Sequence, residues 1–151
     1  MDKIEVLKRS DLFRELDDEH IAMVAKIGTE QVFDAGTIIH KQGAVADLIY
    51  VIEEGLVGII LEVGPLAERQ VQAATNFESF GWAATIPPYT RTATAKALER
   101  TKVIAFKGRE LTAFYTTHTE VCFKIFQAVA RVIAERLRQA YIQLLGVTDE
   151  D

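Results

Sequence analysis

The sequence predicts a mainly β domain of the α+β class: an antiparallel β-roll or jelly-roll barrel, preceded by N-terminal helices and followed by a long C-terminal helix. Three observations predict it. Between Thr29 and Phe106, short apolar segments of period two recur about every ten residues, punctuated by Gly36, Gly43, Gly55 and the Gly64-Pro65 pair. Outside that stretch, the apolar spacing becomes helical. The chain has 151 residues, 49% of them hydrophobic, which is enough for one core without covalent staples. The boundaries expected are a helical lead-in over residues 1–28, the roll over 29–107 and C-terminal helices over 108–146, in one domain overall.

The elements follow in order. Ile4, Val6 and Leu7 among charges predict a short amphipathic helix over residues 2–9. Ser10-Asp11 can cap a new turn whose apolar contacts are Leu12, Phe13 and Leu16. Asp17-Asp18-Glu19 places negative charge where a helix start favours it, and that helix carries Ile21, Val24, Ala25 and Ile27 to an end near Gly28. Strands follow around Gln31–Asp34, Thr37–Lys41, Leu48–Glu54, Leu56–Val63, Arg69–Ala74 and Lys102–Phe106. Gly108 to Tyr115 reads as a short helix with Leu111 and Phe114 buried. Thr117 and Glu120 have capping-box spacing and would open the final helix, which runs to about Leu145.

That final helix carries two apolar stripes. Phe123, Phe126, Ala130, Ile133, Leu137, Ala140 and Leu144 follow steps of 3, 4, 3, 4, 3 and 4, an a/d seam. Ile125, Val129 and Val132 form a second stripe on another face. Two stripes imply two surfaces to cover: the roll and a partner, a second copy of the chain being the simplest. The alternative is that both stripes close one wide barrel mouth.

Several functions are excluded or unsupported. A net charge of −5 argues against a sequence-independent DNA surface, which needs a basic face. A single cysteine, Cys122, excludes an internal disulfide and an all-cysteine metal site, and suits a small core residue. No apolar run approaches the roughly 20 residues of a membrane span, and the N-terminus lacks a signal peptide. A cytoplasmic chain is expected. His20, His40 and His118 lie too far apart in sequence for a local metal motif, so no metal is expected; haem ligation by His40 or Cys122 is left open. No nucleophile is framed for catalysis, and no enzyme is expected.

The chemistry concentrates in residues 78–97. Phe80-Gly81-Trp82-Ala83-Ala84-Thr85 reads as a turn and one short helical turn, stopped by Pro87-Pro88. From Thr90 the residues alternate, with Arg91, Ala93, Ala95 and Ala97 on one face. An arginine on an alanine-lined face, near the free N–H groups of a glycine-led turn, suits an anion. The other reading of Arg91 is a solvated strand residue or a partner of Glu78.

These residues resemble the phosphate-binding cassette of the cyclic-nucleotide-binding domain, the sensor module of catabolite-activator and fumarate-nitrate type regulators. The family pattern is roughly Phe-Gly-Glu-x-Ala, a loop, then Arg-Ala-Ala-Thr-Val-x-Ala. Here it stands as Phe80-Gly81-Trp82-Ala83-Ala84 and Arg91-Thr92-Ala93-Thr94-Ala95-Lys96-Ala97. The resemblance extends over roughly residues 10–140. It implies a β-roll, a long helix that pairs with its twin, and a ligand site at Gly81, Trp82, Ala83, Ala84, Arg91 and Thr92, with Tyr141 facing a ligand or the dimer seam. One departure is clear: the glutamate that takes a ribose hydroxyl in the family is Trp82. Cyclic AMP and cyclic GMP therefore rank behind other small anionic ligands. The expected function is a stand-alone sensor that binds a small-molecule effector and signals through its C-terminal helix, with another signalling protein as a candidate partner, no direct nucleic acid and no membrane. The alternatives are a ligand-free dimeric interaction module with Trp82 filling the pocket, and the sensor part of a transcription regulator lacking its helix-turn-helix.

Overall fold

Capping residues delimit the first two helices. In the computed structural model, which describes residues 1–146, α1 spans Lys3–Arg9 and α2 spans Asp18–Ile27. The Asp2 carboxylate accepts the Ile4 N–H at 3.3 Å, and the Asp17 carboxylate accepts that of His20 at 2.9 Å. Ser10 is fully buried between them. Its hydroxyl donates to the Leu7 carbonyl at 2.8 Å and accepts the Phe13 N–H at 3.0 Å, closing one helix and opening the next turn.

Eight strands follow: β1 Thr29–Phe33, β2 Ile38–His40, β3 Leu48–Glu54, β4 Leu56–Gly64, β5 Ala67–Thr75, β6 Ser79–Phe80, β7 Thr94–Ala97 and β8 Thr101–Lys107. They form two four-stranded antiparallel sheets, ordered β1-β8-β3-β6 and β2-β7-β4-β5. The uninterrupted apolar run of β3 is explained by burial on both faces. Tyr50 and Ile52 turn between the sheets, with Val57, Phe80, Ala95 and Val103. Ile49 and Val51 turn outward under the helices, with Phe13, Ile104, Phe106, Ile125 and Val129. Full burial of such side chains contributes about 1.5–3 kcal/mol each, so this second cluster is what fastens the helices to the roll.

The C-terminal helices are α3, Gly108–Thr117, and α4, Thr119–Leu145. Two expectations are corrected here. The capping box does not form, because α3 continues through Thr117; the Thr117 hydroxyl donates to the Phe114 carbonyl at 3.2 Å, and His118 takes the N-cap position of α4. Within α3 the buried aromatic is Tyr115, whereas Phe114 is half-buried and stacks on His118.

Both stripes of α4 are real, and they differ in what they touch. Val121, Ile125, Ala128 and Val129 are buried against the roll. On the other face, Phe123, Ile133, Leu137 and Leu144 are 67%, 39%, 49% and 83% exposed, and Ala130 and Ala140 are exposed too. Phe126 is the seam residue that turns back, packing edge-on to Tyr115 with centroids 5.7 Å apart.

Candidate functional site

The site is built where β6 ends. Gly81 takes a left-handed conformation, φ 84°, and sends the chain into a four-residue 3-10 turn, Trp82–Thr85. The turn is shorter than the helix whose N-terminus would carry an appreciable dipole, and the Ala84 N–H is already taken by the Gly81 carbonyl at 3.2 Å. After Pro87-Pro88 the chain returns to Arg91, which lies ahead of β7 and is 3% exposed.

Arg91 is held from several sides. Its backbone N–H donates to the Ala44 carbonyl at 2.8 Å, and its own carbonyl accepts the Gly43 N–H at 2.8 Å. Nη1 donates to the Gly81 carbonyl at 3.0 Å and Nη2 to the Leu48 carbonyl at 2.7 Å. A Cβ on residue 81 would lie 3.0 Å from that Nη1, so the glycine serves both the left-handed turn and the approach of the guanidinium. The two terminal amines thus face backbone, where the sequence reading aimed the whole fork at a ligand. Nε is buried and has no protein partner. Burial pulls the guanidinium pKa down while Tyr50 and Asp47 oppose this; an arginine stays charged regardless. Glu78 is no partner of Arg91; its carboxylate accepts the Thr75 N–H at 2.9 Å.

Beside Arg91 is a cavity of about 180 Å³. Gly81, Trp82, Ala83, Arg91 and Thr92, all expected from the sequence, line it together with His40, Gln72 and Arg136. Trp82 does not stand free in it. The indole N–H donates to the Ser79 hydroxyl at 2.8 Å, and the Arg136 guanidinium lies 5.0 Å from its ring centroid. Arg136, on α4, is 9% exposed; Nη2 donates to the Ser79 carbonyl at 3.2 Å and Nη1 to the Gln72 side chain at 3.4 Å. The Gln72 amide returns a hydrogen bond to the Arg136 carbonyl at 2.9 Å. Burial lowers the Arg136 pKa, opposed by Glu78 and Asp11. The helix is therefore clamped to the cavity by one side chain.

Two expected residues lie elsewhere. Ala84 is buried, but it turns to the opposite side of the segment, against Gly108. Tyr141 is 57% exposed and does not line the cavity. Arg136, which the sequence reading missed, had a signal: it lies one more step of four along the stripe Ile125, Val129, Val132, in which Ile125 and Val129 are buried and Val132 is half-buried. His40 and Gln72 had none beyond their places in short strands. A larger open groove of about 860 Å³ lies beside β1, β8 and the start of α3, lined by Thr29, Asp47, Tyr89, Lys107 and Arg109 among others. It holds neither Arg91 nor Trp82, so size alone does not make it the site of the cassette chemistry. Among the described residues, no cluster of three or more histidine, cysteine or acidic side chains could hold a metal ion, and no helix is long and apolar enough to cross a membrane.

Known proteins resemble this chain in sequence and in fold. Residues 30–118 match the family model described as the cyclic nucleotide-binding domain. Over 145 residues the chain is 28% identical to a protein of Rhodopseudomonas palustris described as a candidate potassium channel, covering 95% of this chain and 34% of that protein. The chain thus spans about a third of the length of this curated relative. Among solved structures, a candidate cyclic nucleotide-binding protein of Geobacter metallireducens superposes with a TM-score of 0.79 at 26% identity, over 91% of this chain and 99% of that one. The catabolite activator protein of Thermus thermophilus superposes with a TM-score of 0.75 at 24% identity, over 89% of this chain and 62% of that one, and shares the fold. The β-roll, the cassette with its buried arginine and the family match together place this chain in the cyclic nucleotide-binding domain family.

Proposed function

We propose that this chain is a ligand-sensing domain in which a small anion enters the cassette cavity and α4 carries the response. The observation that carries this reading is the pair of buried guanidiniums on one cavity, Arg91 from the roll and Arg136 from the helix. Two cations facing one low-dielectric space are stabilised by an anion between them. A ligand that engages Arg136 differently in two arrangements of α4 shifts their populations, which is the requirement for coupling. The exposed seam from Phe123 to Leu144 supports a homodimer through which such a shift is read. The net charge of −5 supports an output other than direct DNA binding.

Cyclic AMP and cyclic GMP rank behind smaller anions. Trp82 stands where a ribose hydroxyl would need an acceptor, and losing that hydrogen bond costs about 1–3 kcal/mol. The cavity of about 180 Å³ also falls below the roughly 300–1,000 Å³ of ordinary ligand pockets. A second reading is favoured by the same tryptophan: with its N–H bonded and its face covered, Trp82 fills the pocket of a ligand-free dimeric interaction module.

Native mass spectrometry of the purified protein, followed by calorimetry on the wild type and Arg91→Ala, separates the two. The sensor reading expects a bound or titratable anion whose affinity falls roughly tenfold to a hundredfold without the guanidinium. A protein that binds no small anion supports the interaction module.

A further inference from the structure

The two histidines outside the roll meet where three helices join. His20 lies in the first turn of α2, and His118 links α3 to α4. Their rings stand edge to face, with centroids 5.8 Å apart. Both ring nitrogens of His20 face carboxylates. Nδ1 lies 3.1 Å from Asp17, the N-cap residue of α2, and Nε2 lies 3.5 Å from Glu120, in the first turn of α4. We infer that His20 is a proton-operated latch: with both ring nitrogens protonated it ties the start of α4 to α2, and on losing one proton it releases that tie. The inference adds a regulator to the reading above that α4 carries a response, and it is independent of what the cassette binds.

The chemistry of the ring separates the two states. A neutral imidazole has one N–H donor and one bare nitrogen acceptor. Either tautomer sets that bare nitrogen against a carboxylate oxygen, an acceptor facing an acceptor. Only imidazolium donates to both. The Asp17 contact is local to α2, since the same carboxylate also accepts the His20 backbone N–H at 2.9 Å. The Glu120 contact is the one that joins two elements. Histidine is also the side chain whose charge ordinarily changes between about pH 5 and pH 8.

The remaining groups at the junction do not supply a competing tie. His118 Nδ1 lies 2.9 Å from the Thr117 hydroxyl and 3.2 Å from the Phe114 carbonyl, and its ring stacks on Phe114. An Nδ1–H on a neutral ring satisfies these partners; a charge on His118 would repel that on His20 and weaken the latch. On α2, Asp18 is engaged by Lys8 at 3.4 Å. Glu19 on α2 and Lys124 on α4 form no ion pair. The charged residues of α3, Arg109 and Glu110, lie at its far end.

Position gives the latch its effect. The first turn of α4 has no side-chain cap, and the Val121 and Cys122 N–H groups both reach back to the His118 carbonyl at 3.1 Å. A tie from Glu120 to α2 therefore orders the turn from which the helix starts. The His20 side chain is 17% exposed and each carboxylate 60%, so the contacts are partly solvated and their effect is modest.

The test is an NMR titration of the His20 ring nitrogens in the wild type, Asp17→Asn and Glu120→Gln. It is paired with hydrogen exchange of the Val121 and Cys122 amides at about pH 6 and about pH 8, corrected for the intrinsic effect of pH on exchange. Asparagine remains a good N-cap and glutamine keeps the shape of glutamate, so both variants should fold. The expected result is a proton affinity of His20 that falls about 1.5- to 5-fold on loss of either carboxylate. Protection of the two amides should be greater at the lower pH by a similar factor of about 1.5 to 5, and this dependence should disappear in Glu120→Gln. A His20 titration unmoved by Glu120→Gln overturns the latch, because His20 is then a partner of its own helix cap alone. Amide protection that ignores pH in the wild type, or that depends on pH equally in Glu120→Gln, overturns it too. No ligand enters these measurements, so their failure is distinct from failure of the cassette reading, which the Arg91→Ala calorimetry tests.

Discussion

The two faces of α4 make an instructive contrast. The outer face, Phe123 to Leu144, has the regular 3-4 spacing of a coiled-coil seam, yet most of it is exposed in the single chain. The inner face, Val121, Ile125, Ala128 and Val129, is the one that packs on the roll, and it ends in the buried Arg136. Regular spacing reports the surface a straight partner helix requires. A curved roll accepts a shorter and less regular stripe, and here it also needs a charge at the end of it, because that end overhangs the cassette. The more regular pattern was therefore the less structural one within this chain.

Substitutions on the two faces should separate cleanly. Val129→Asp places a carboxylate in the core at a site 4% exposed, and a loss of several kcal/mol is expected, enough to unfold a marginal domain. Ile133→Asp, one turn further along, should leave the thermal midpoint of the monomer nearly unchanged while converting a homodimer to monomers in sedimentation. Equal damage from both would mean that the outer stripe is core in some way the chain does not display. A wild type that sediments as a monomer at concentrations well above cellular levels would remove the dimer proposal.

The next effect is carried by pH. The His40 pKa is lowered to about 4 in the fold from 6.5, so the unfolded chain binds the proton more readily. Stability from this group is present above pH 6.5 and is lost as pH falls toward 4. Between pH 7 and pH 5 the expected loss is roughly 2 kcal/mol. Asp11 works in the opposite sense: burial raises its pKa, so the fold holds that proton more tightly and gains on acidification. Urea melts of the wild type and His40→Phe across this range isolate the histidine by difference. Parallel curves would show that His40 is charged or solvated in the fold.

Arg136→Met should produce a smaller effect, about 1–2 kcal/mol from the lost hydrogen bonds and cation–π contact. Its sharper signature is local: hydrogen exchange should accelerate in the half of α4 beyond Val129 and remain unchanged before it. Uniform acceleration along the helix would mean that Arg136 is not the clamp.

How much of this was legible in the sequence follows from how local each cause is. The strands between Thr29 and Glu62 could be read because period-two alternation and glycine punctuation are local signals. The Gly81 turn was legible for the same reason. Arg91 was expected on the alanine face of an alternating strand from Thr90, but it lies ahead of β7, where the neighbouring Thr94 and Ala95 are both buried and the alternation is lost. The direction of the guanidinium was not legible either, because one of its two carbonyl partners, that of Leu48, comes from a strand 43 residues away. The capping box failed because Thr117 was already committed to α3, which the tetrapeptide alone does not show. His40 and Gln72 carried no pattern at all; they join the site only when β2 and β5 are brought to the same cavity by the fold.

The central claim is that occupation of the cassette is felt by α4, and Trp82 is placed to report it. It is the chain's single tryptophan, it lines the cavity, and its face carries the Arg136 guanidinium. Its emission can be followed while inorganic phosphate is titrated into the wild type and into Arg91→Ala. A saturable change in wavelength or intensity that is absent in Arg91→Ala is the result expected of a sensor. An emission spectrum that stays constant in the wild type, or that changes equally without Arg91, would contradict it.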